Sequence, residues 1–118
     1  MKQTVVVTGG TSGIGAGVSE VLQGAGYHVI AATVSQDEID RFSGSSEIET
    51  RLLDVTDTAS VESVFDGLGN LSGLVNCAGI LVRSEEYNID VFQKVINVNL
   101  TGTMRCCLAA QPLLAKSG

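Results

Sequence analysis

The stretch Val5-Val6-Val7-Thr8-Gly9-Gly10-Thr11-Ser12-Gly13-Ile14-Gly15 runs from an apolar segment straight into a glycine-rich turn. Residues 4–7 are mostly β-branched, which favours an extended strand buried on both faces. Gly9, Gly13 and Gly15 then follow in the spacing Gly-x-x-x-Gly-x-Gly. Glycine admits positive φ and lets backbone pass close to a ligand. Beyond the turn, Ile14, Val18, Val21 and Leu22 recur on one side of a helix. Free N–H groups at such a helix start, with about half a positive charge from the macrodipole, suit a pyrophosphate. The spacing differs from the Gly-x-Gly-x-x-Gly dinucleotide fingerprint, and no Gly-Lys-Ser/Thr follows to make a P-loop. The alternative is a tight strand-to-helix turn with no ligand; the strand before it and the helix after it favour the phosphate cradle.

Composition narrows the class. The chain has 118 residues, which fits one domain. Roughly two thirds of the unfolded surface can be buried at this size. The net charge is −6 and the seven basic residues are scattered, so no nucleic-acid partner is expected. No apolar run approaches about 18 residues, and no membrane span is expected. No signal peptide precedes the first strand. Cys77, Cys106 and Cys107 are an odd set without metal-ligand spacing, so no metal is expected. Reduced thiols and a cytoplasmic location are the corresponding expectations.

Strand and helix patterns alternate along the chain without repeat or linker. Strands are expected over residues 3–8, 28–34, 48–53 and 73–77. Helices are expected over 13–23 and 58–68, with a short polar helix or turn over 36–42. Val61, Val64, Phe65 and Leu68 make the apolar face of the helix over 58–68, and Thr56 or Asp57 can cap it. A loop and a short helix lead to residue 90. A long helix follows over 90–115, weakened locally at Gly102 and Pro112. Alternating β and α elements imply an α/β fold, a parallel sheet with helices on both faces.

Two further segments carry chemistry. Asp54 and Val55 end the third strand, where ligands of a parallel sheet sit. Asp54 can accept a hydrogen bond from the exocyclic amine of adenine, and the Val55 N–H can donate to the ring. A capping role for Asp54 is the competing reading, but Asp57 can fill that role. Asn76-Cys77-Ala78-Gly79 ends the fourth strand with small residues, which allow a ribose or nicotinamide to approach or simply make a tight turn.

Taken in order, these segments resemble the short-chain dehydrogenase/reductase family. Thr8 to Gly15 is similar to its cofactor motif Thr-Gly-x-x-x-Gly-x-Gly, and Asp54-Val55 to its adenine-contacting pair. Asn76 to Gly79 is similar to its Asn-Asn-Ala-Gly motif, with Cys77 replacing the second Asn. Val98-Asn99-Leu100-Thr101-Gly102 is similar to its long-helix segment. The resemblance implies a Rossmann-type fold with strand order 3-2-1-4 and an NAD(P)-dependent oxidoreductase acting on a small alcohol or carbonyl substrate. It implies cofactor contacts at Gly9, Thr11, Ser12, Gly13, Ile14, Gly15, Thr33, Asp54, Val55, Asn76, Ala78 and Gly79. It also implies a catalytic role for Asn99 in a proton relay, where a side-chain-to-backbone kink is the plainer alternative. The backbone of the fourth strand is expected to keep its bonds to Thr8 despite Cys77, whose replacement is read as a packing change.

The cofactor is NAD(H) or NADP(H), with a lean to NAD(H). The position near Thr33 and Val34 carries no acid, Ser12 is neutral, and Asp37 and Glu38 would repel a 2′-phosphate if they faced the pocket. An exposed helix start is the expectation for that pair.

The family chemistry also needs a Ser and a Tyr-x-x-x-Lys pair. Tyr27 precedes a strand and Tyr87 is followed four residues later by Val91, so neither fits. Residues 1–118 therefore read as the N-terminal, cofactor-binding half of one domain, without dehydrogenase turnover of its own. The fourth strand would be an open edge, and a homo-oligomer built partly on the long helix is expected, with Val95, Leu108 and Leu114 as candidate contact or core residues. A noncatalytic nucleotide-binding or interaction module is the alternative.

Overall fold

The computed structural model describes residues 2–117. Met1 and Gly118, the two ends of the expected 1–118 domain, lie outside the described residues. Strands β1 (Thr4–Thr8), β2 (His28–Thr33), β3 (Glu49–Leu52) and β4 (Gly73–Asn76) form one parallel sheet in the order β3-β2-β1-β4. These strands begin and end within one residue of the bounds the sequence suggests. Every residue of β1 is buried, as expected of a central strand with helices on both faces.

Alternation along the strands sorts side chains into two cores. On one face, Val6, Ile30 and Ala32 pack with Leu53 and Val55 against α3 (Thr58–Asp66) and α5 (Gly102–Ser117). Phe65, Ile30 and Leu71 are the largest side chains fully enclosed there. On the other face, Val5, Val7, Val29 and Ala31 pack against Val18 and Leu22 of α1 (Gly13–Gly24) and Phe42, the C-cap of α2 (Gln36–Arg41). Asp57 caps α3 by accepting from the N–H groups of Ala59 and Ser60.

Helix α1 buries only part of the stripe its apolar residues mark: Val18 and Leu22 pack on the core. Gly15 and Ser19 are buried, whereas Ile14 and Val21 are 84% and 72% exposed. The reason is the closeness of the turn to the helix. A Cβ on Gly15 would stand 1.9 Å from the Gly9 carbonyl oxygen, and the Ser19 hydroxyl donates to the Gly10 carbonyl at 2.9 Å. The helix is rotated to put Gly15 and Ser19 under the loop, and Ile14 stands at the carboxyl end of the sheet.

Residues 77–88 contain no short helix; they form an irregular loop with a turn at Glu86 and Tyr87. Arg83 to Glu86 are polar and exposed, so a helix there would have no apolar face to bury. The expected long helix runs as α4 (Ile89–Ile96), a π-helical turn (Asn97–Thr101) and α5. Neither Gly102 nor Pro112 breaks it. Gly102 is buried where a Cβ would lie 2.7 Å from Val55 Cγ2, so it serves close approach. Pro112 and Leu108, whose carbonyl would otherwise receive the missing N–H, are both exposed, so water can reach that carbonyl.

Two glycines in α1 should respond oppositely to alanine. Gly15→Ala is expected to destabilise by about 1–3 kcal/mol, because the colliding atom is backbone. Gly17 has nothing within 4 Å of a built Cβ, and Gly17→Ala should stabilise by about 0.5–1 kcal/mol. Urea unfolding of the two variants checks both signs.

Candidate functional site

A cleft of about 480 Å³ opens beyond the carboxyl ends of all four strands. Its floor is Thr8 and Gly9 from β1, Ala32 to Val34 from β2, Leu53 to Thr56 after β3, and Cys77 to Ile80 after β4. Ser12, Ile14 and Gly15 at the start of α1, Glu38 of α2, and Lys94 and Val98 complete the walls. This is where the crossovers of a parallel sheet leave room for a ligand.

The buried Thr8 hydroxyl ties the floor together. It accepts from the N–H of Cys77 at 3.1 Å and of Ala78 at 3.2 Å. Gly9 has φ +63, and a Cβ on it would lie 2.9 Å from Ala78 backbone atoms. Cys77 thus leaves the backbone bonds to Thr8 intact, as the sequence suggests, and its side chain packs on the second core.

The start of α1 differs from the other helix starts. Ser35, Asp57 and Asn88 cap α2, α3 and α4 with side-chain hydrogen bonds, whereas Ser12 makes none. The first-turn N–H groups of a helix have no intrahelical acceptor. At the cleft wall they form a donor set suited to an anion.

Asp54 stands across the cleft. Its Oδ1 accepts from the Thr56 N–H at 2.9 Å and from the Thr56 hydroxyl at 2.7 Å. The Thr56 hydroxyl, then the Thr56 N–H, hold the carboxyl below its ordinary value of 3.8; burial opposes them and the Arg105 charge assists. A hydrogen-bond acceptor kept ionised suits an amine donor. The half-buried Glu38 also faces the cleft, its Oε1 accepting from the Thr11 hydroxyl at 2.9 Å. The expected exposed helix start describes Asp37, which pairs with Arg41 at 3.1 Å, but not Glu38. Ser35 caps α2 by accepting from the Glu38 N–H at 3.1 Å.

Asn99 sits in the π turn. Its Oδ1 accepts from the Ile80 N–H at 2.8 Å and its Nδ2 donates to the Ile80 carbonyl at 2.9 Å. Both ends of the amide are used to hold the loop after β4. Burial pushes the Cys106 thiol up to about 11, so it packs as a neutral side chain.

Of the residues expected to contact a cofactor, Gly9, Ser12, Ile14, Gly15, Thr33, Asp54, Val55, Ala78 and Gly79 line this one cleft. Thr11, Gly13 and Asn76 do not. Thr11 donates to Glu38, which does line it. Gly13, with φ +52, is exposed and shapes the turn. Asn76 is exposed, with its amide donating to Cys107 Sγ at 3.6 Å. Sequence reasoning overlooked Ala32, Leu53, Thr56, Ile80, Lys94 and Val98 as lining residues. Thr56 and Ile80 each directly follow a recognised motif residue, and Lys94 and Val98 share a helix face at i,i+4; those were the available signals.

The fold, with its cleft at the strand ends, defines a Rossmann-type α/β domain. The family profile described as short chain dehydrogenase matches residues 3–118, and the chain belongs to that family. It is 30% identical over 129 residues to the uncharacterized oxidoreductase YxbG of Bacillus subtilis, covering 99% of this chain and 47% of that protein. A short-chain type dehydrogenase/reductase from Mycobacterium ulcerans superposes with a TM-score of 0.86 at 26% identity, over 98% of this chain and 48% of the other. An ElxO variant with NADPH bound superposes at 0.88 with 32% identity, over 99% and 52%. The chain spans about half the length of the relatives it matches.

The Thr56 hydroxyl can be tested directly. Thr56→Val should raise the Asp54 pKa toward 3.8 in a carboxyl-carbon NMR titration. The sign for stability follows from the same shift. Because the folded value lies below the unfolded one, the contribution of Asp54 is complete above about pH 4 and fades as pH falls through the folded value. Thr56→Val should shrink that acid-side dependence, and an unmoved Asp54 titration would contradict the assignment.

Proposed function

We propose that this chain forms the cofactor-binding half of an NAD(P)-dependent oxidoreductase and prefers NAD(H). The observation that carries the reading is the convergence, in one cleft, of an uncapped helix start, an ionised Asp54 and an inward-facing Glu38. The α1 N–H groups would take the pyrophosphate, and Asp54 and the Val55 N–H the adenine. Glu38, steadied by Thr11, would accept from ribose hydroxyls and repel a 2′-phosphate. When bound, a nicotinamide cofactor supplies or receives the hydride in alcohol/carbonyl interconversion. The chain's own part is to hold and orient it. Asn99 fixes the loop on which Gly79 and Ile80 stand, beside the small residues that would admit the nicotinamide ribose.

Proton transfer in the family needs a tyrosine, and neither Tyr27 nor Tyr87 lines the cleft. Tyr87 is fully exposed on the loop before α4, and Tyr27 packs against the second core. The Ser and Tyr-x-x-x-Lys of the family would come from elsewhere in a whole protein. Exposed Phe92, Leu100, Met104 and Leu108 along α4, the π turn and α5 support association of copies, as does the open edge of β4.

Calorimetric titration with NADH and NADPH tests the binding reading. NADH should bind at least about tenfold more tightly, and Glu38→Gln should narrow that gap. Tighter binding of NADPH by the unaltered chain would overturn the preference. Binding of neither would overturn the cleft assignment. A panel of alcohols and ketones with either cofactor should show no turnover by residues 1–118, and measurable turnover would refute the division of labour.

A further inference from the structure

We propose that Arg105 is a positioning residue for adenine recognition, acting by fixing the peptide plane that aims the Asp54 carboxylate. The inference rests on the reading of the cleft as a dinucleotide site. Arg105 lies on α5, on the core side of the loop that follows β3, and is half-buried. Its Nη1 donates to the Val55 carbonyl at 3.0 Å and to Asn97 Oδ1 at 2.9 Å, and lies 3.5 Å from the Asn97 carbonyl. The close approach depends on Gly102, because any Cβ there would meet Val55 at 2.7 Å.

The geometry of a trans peptide carries the effect across the loop. The Val55 carbonyl and the Thr56 N–H belong to one planar unit and point in opposite directions. Arg105 grips the carbonyl end, and the N–H end donates to Asp54 Oδ1 at 2.9 Å. The guanidinium therefore sets the tilt of the plane that holds Oδ1, while Asp54 Oδ2 has no hydrogen-bond partner among the described residues. A charged donor on the carbonyl also polarises the peptide and strengthens the N–H on its far side. Asn97 anchors the arginine, so the π turn and the β3–α3 loop are held by one nitrogen.

The test uses the ratio of two affinities, which general destabilisation leaves alone. Reduced nicotinamide hypoxanthine dinucleotide carries a carbonyl where NADH carries the exocyclic amine. The unaltered chain should bind NADH about tenfold more tightly than this analogue, as expected for one hydrogen bond to a charged acceptor. Arg105→Met should bring the ratio to within about twofold of unity. Arg105→Lys should retain the preference, because a single nitrogen meets the acceptors and an ammonium has three hydrogens to offer. Asn97→Ala, which leaves the arginine in place without its side-chain anchor, should lower the ratio in the same direction and serves if Arg105→Met does not fold. An unchanged ratio in the folded variants overturns the role of Arg105. Failure of the unaltered chain to bind NADH overturns the cleft reading instead.

Discussion

The Thr8 hydroxyl receives the N–H groups of Cys77 and Ala78, and through those bonds two neighbouring strands leave the sheet together. Without it, the half-buried Ala78 N–H would lose its acceptor, at about 1–3 kcal/mol, while the Cys77 N–H would keep its bond to the Thr8 carbonyl at 3.1 Å. The rest of the cleft rim is built outward from this point. Gly9 passes against Ala78, Asn99 holds Ile80, the π turn carries Asn97, and Asn97 holds Arg105 against Val55. Opposite walls are thus joined by short hydrogen bonds to backbone rather than by large apolar contacts. Such a frame keeps its dimensions while leaving the interior open to a polar ligand.

Much of this was legible in the sequence because strand identity and turn chemistry are local properties. The β-branched run before Gly9 and the alternation of strand and helix specify a parallel sheet. Asp54 stands at a strand end wherever the neighbouring helix starts. Cys77 was legible in the same way, since the bonds that matter there use its N–H and not its side chain.

What escaped depends on contacts between distant segments. The helical wheel of α1 marks Ile14 and Val21 as inward, but the demand of Gly9 for a neighbour without a Cβ rotates Gly15 and Ser19 inward instead. Glu38 and Asp37 are adjacent acids with no local difference, and only Thr11, twenty-seven positions away, distinguishes them. Arg105 looks like one more surface cation of a long helix until Val55 is brought to it. Asn76 carries a motif residue's name yet lies outside the cleft, because successive side chains at a strand end point to opposite faces.

The π turn at Asn97–Thr101 has a consequence for how this chain can vary over generations. Removing or adding one residue in a helix rotates everything beyond it by about 100°. Here that rotation would carry Arg105 away from Val55 and turn Cys106 and Ala110 out of the core. The segment can therefore accept few changes of length. Its length is fixed at both ends, by the loop that Asn99 holds and by the core that α5 fills.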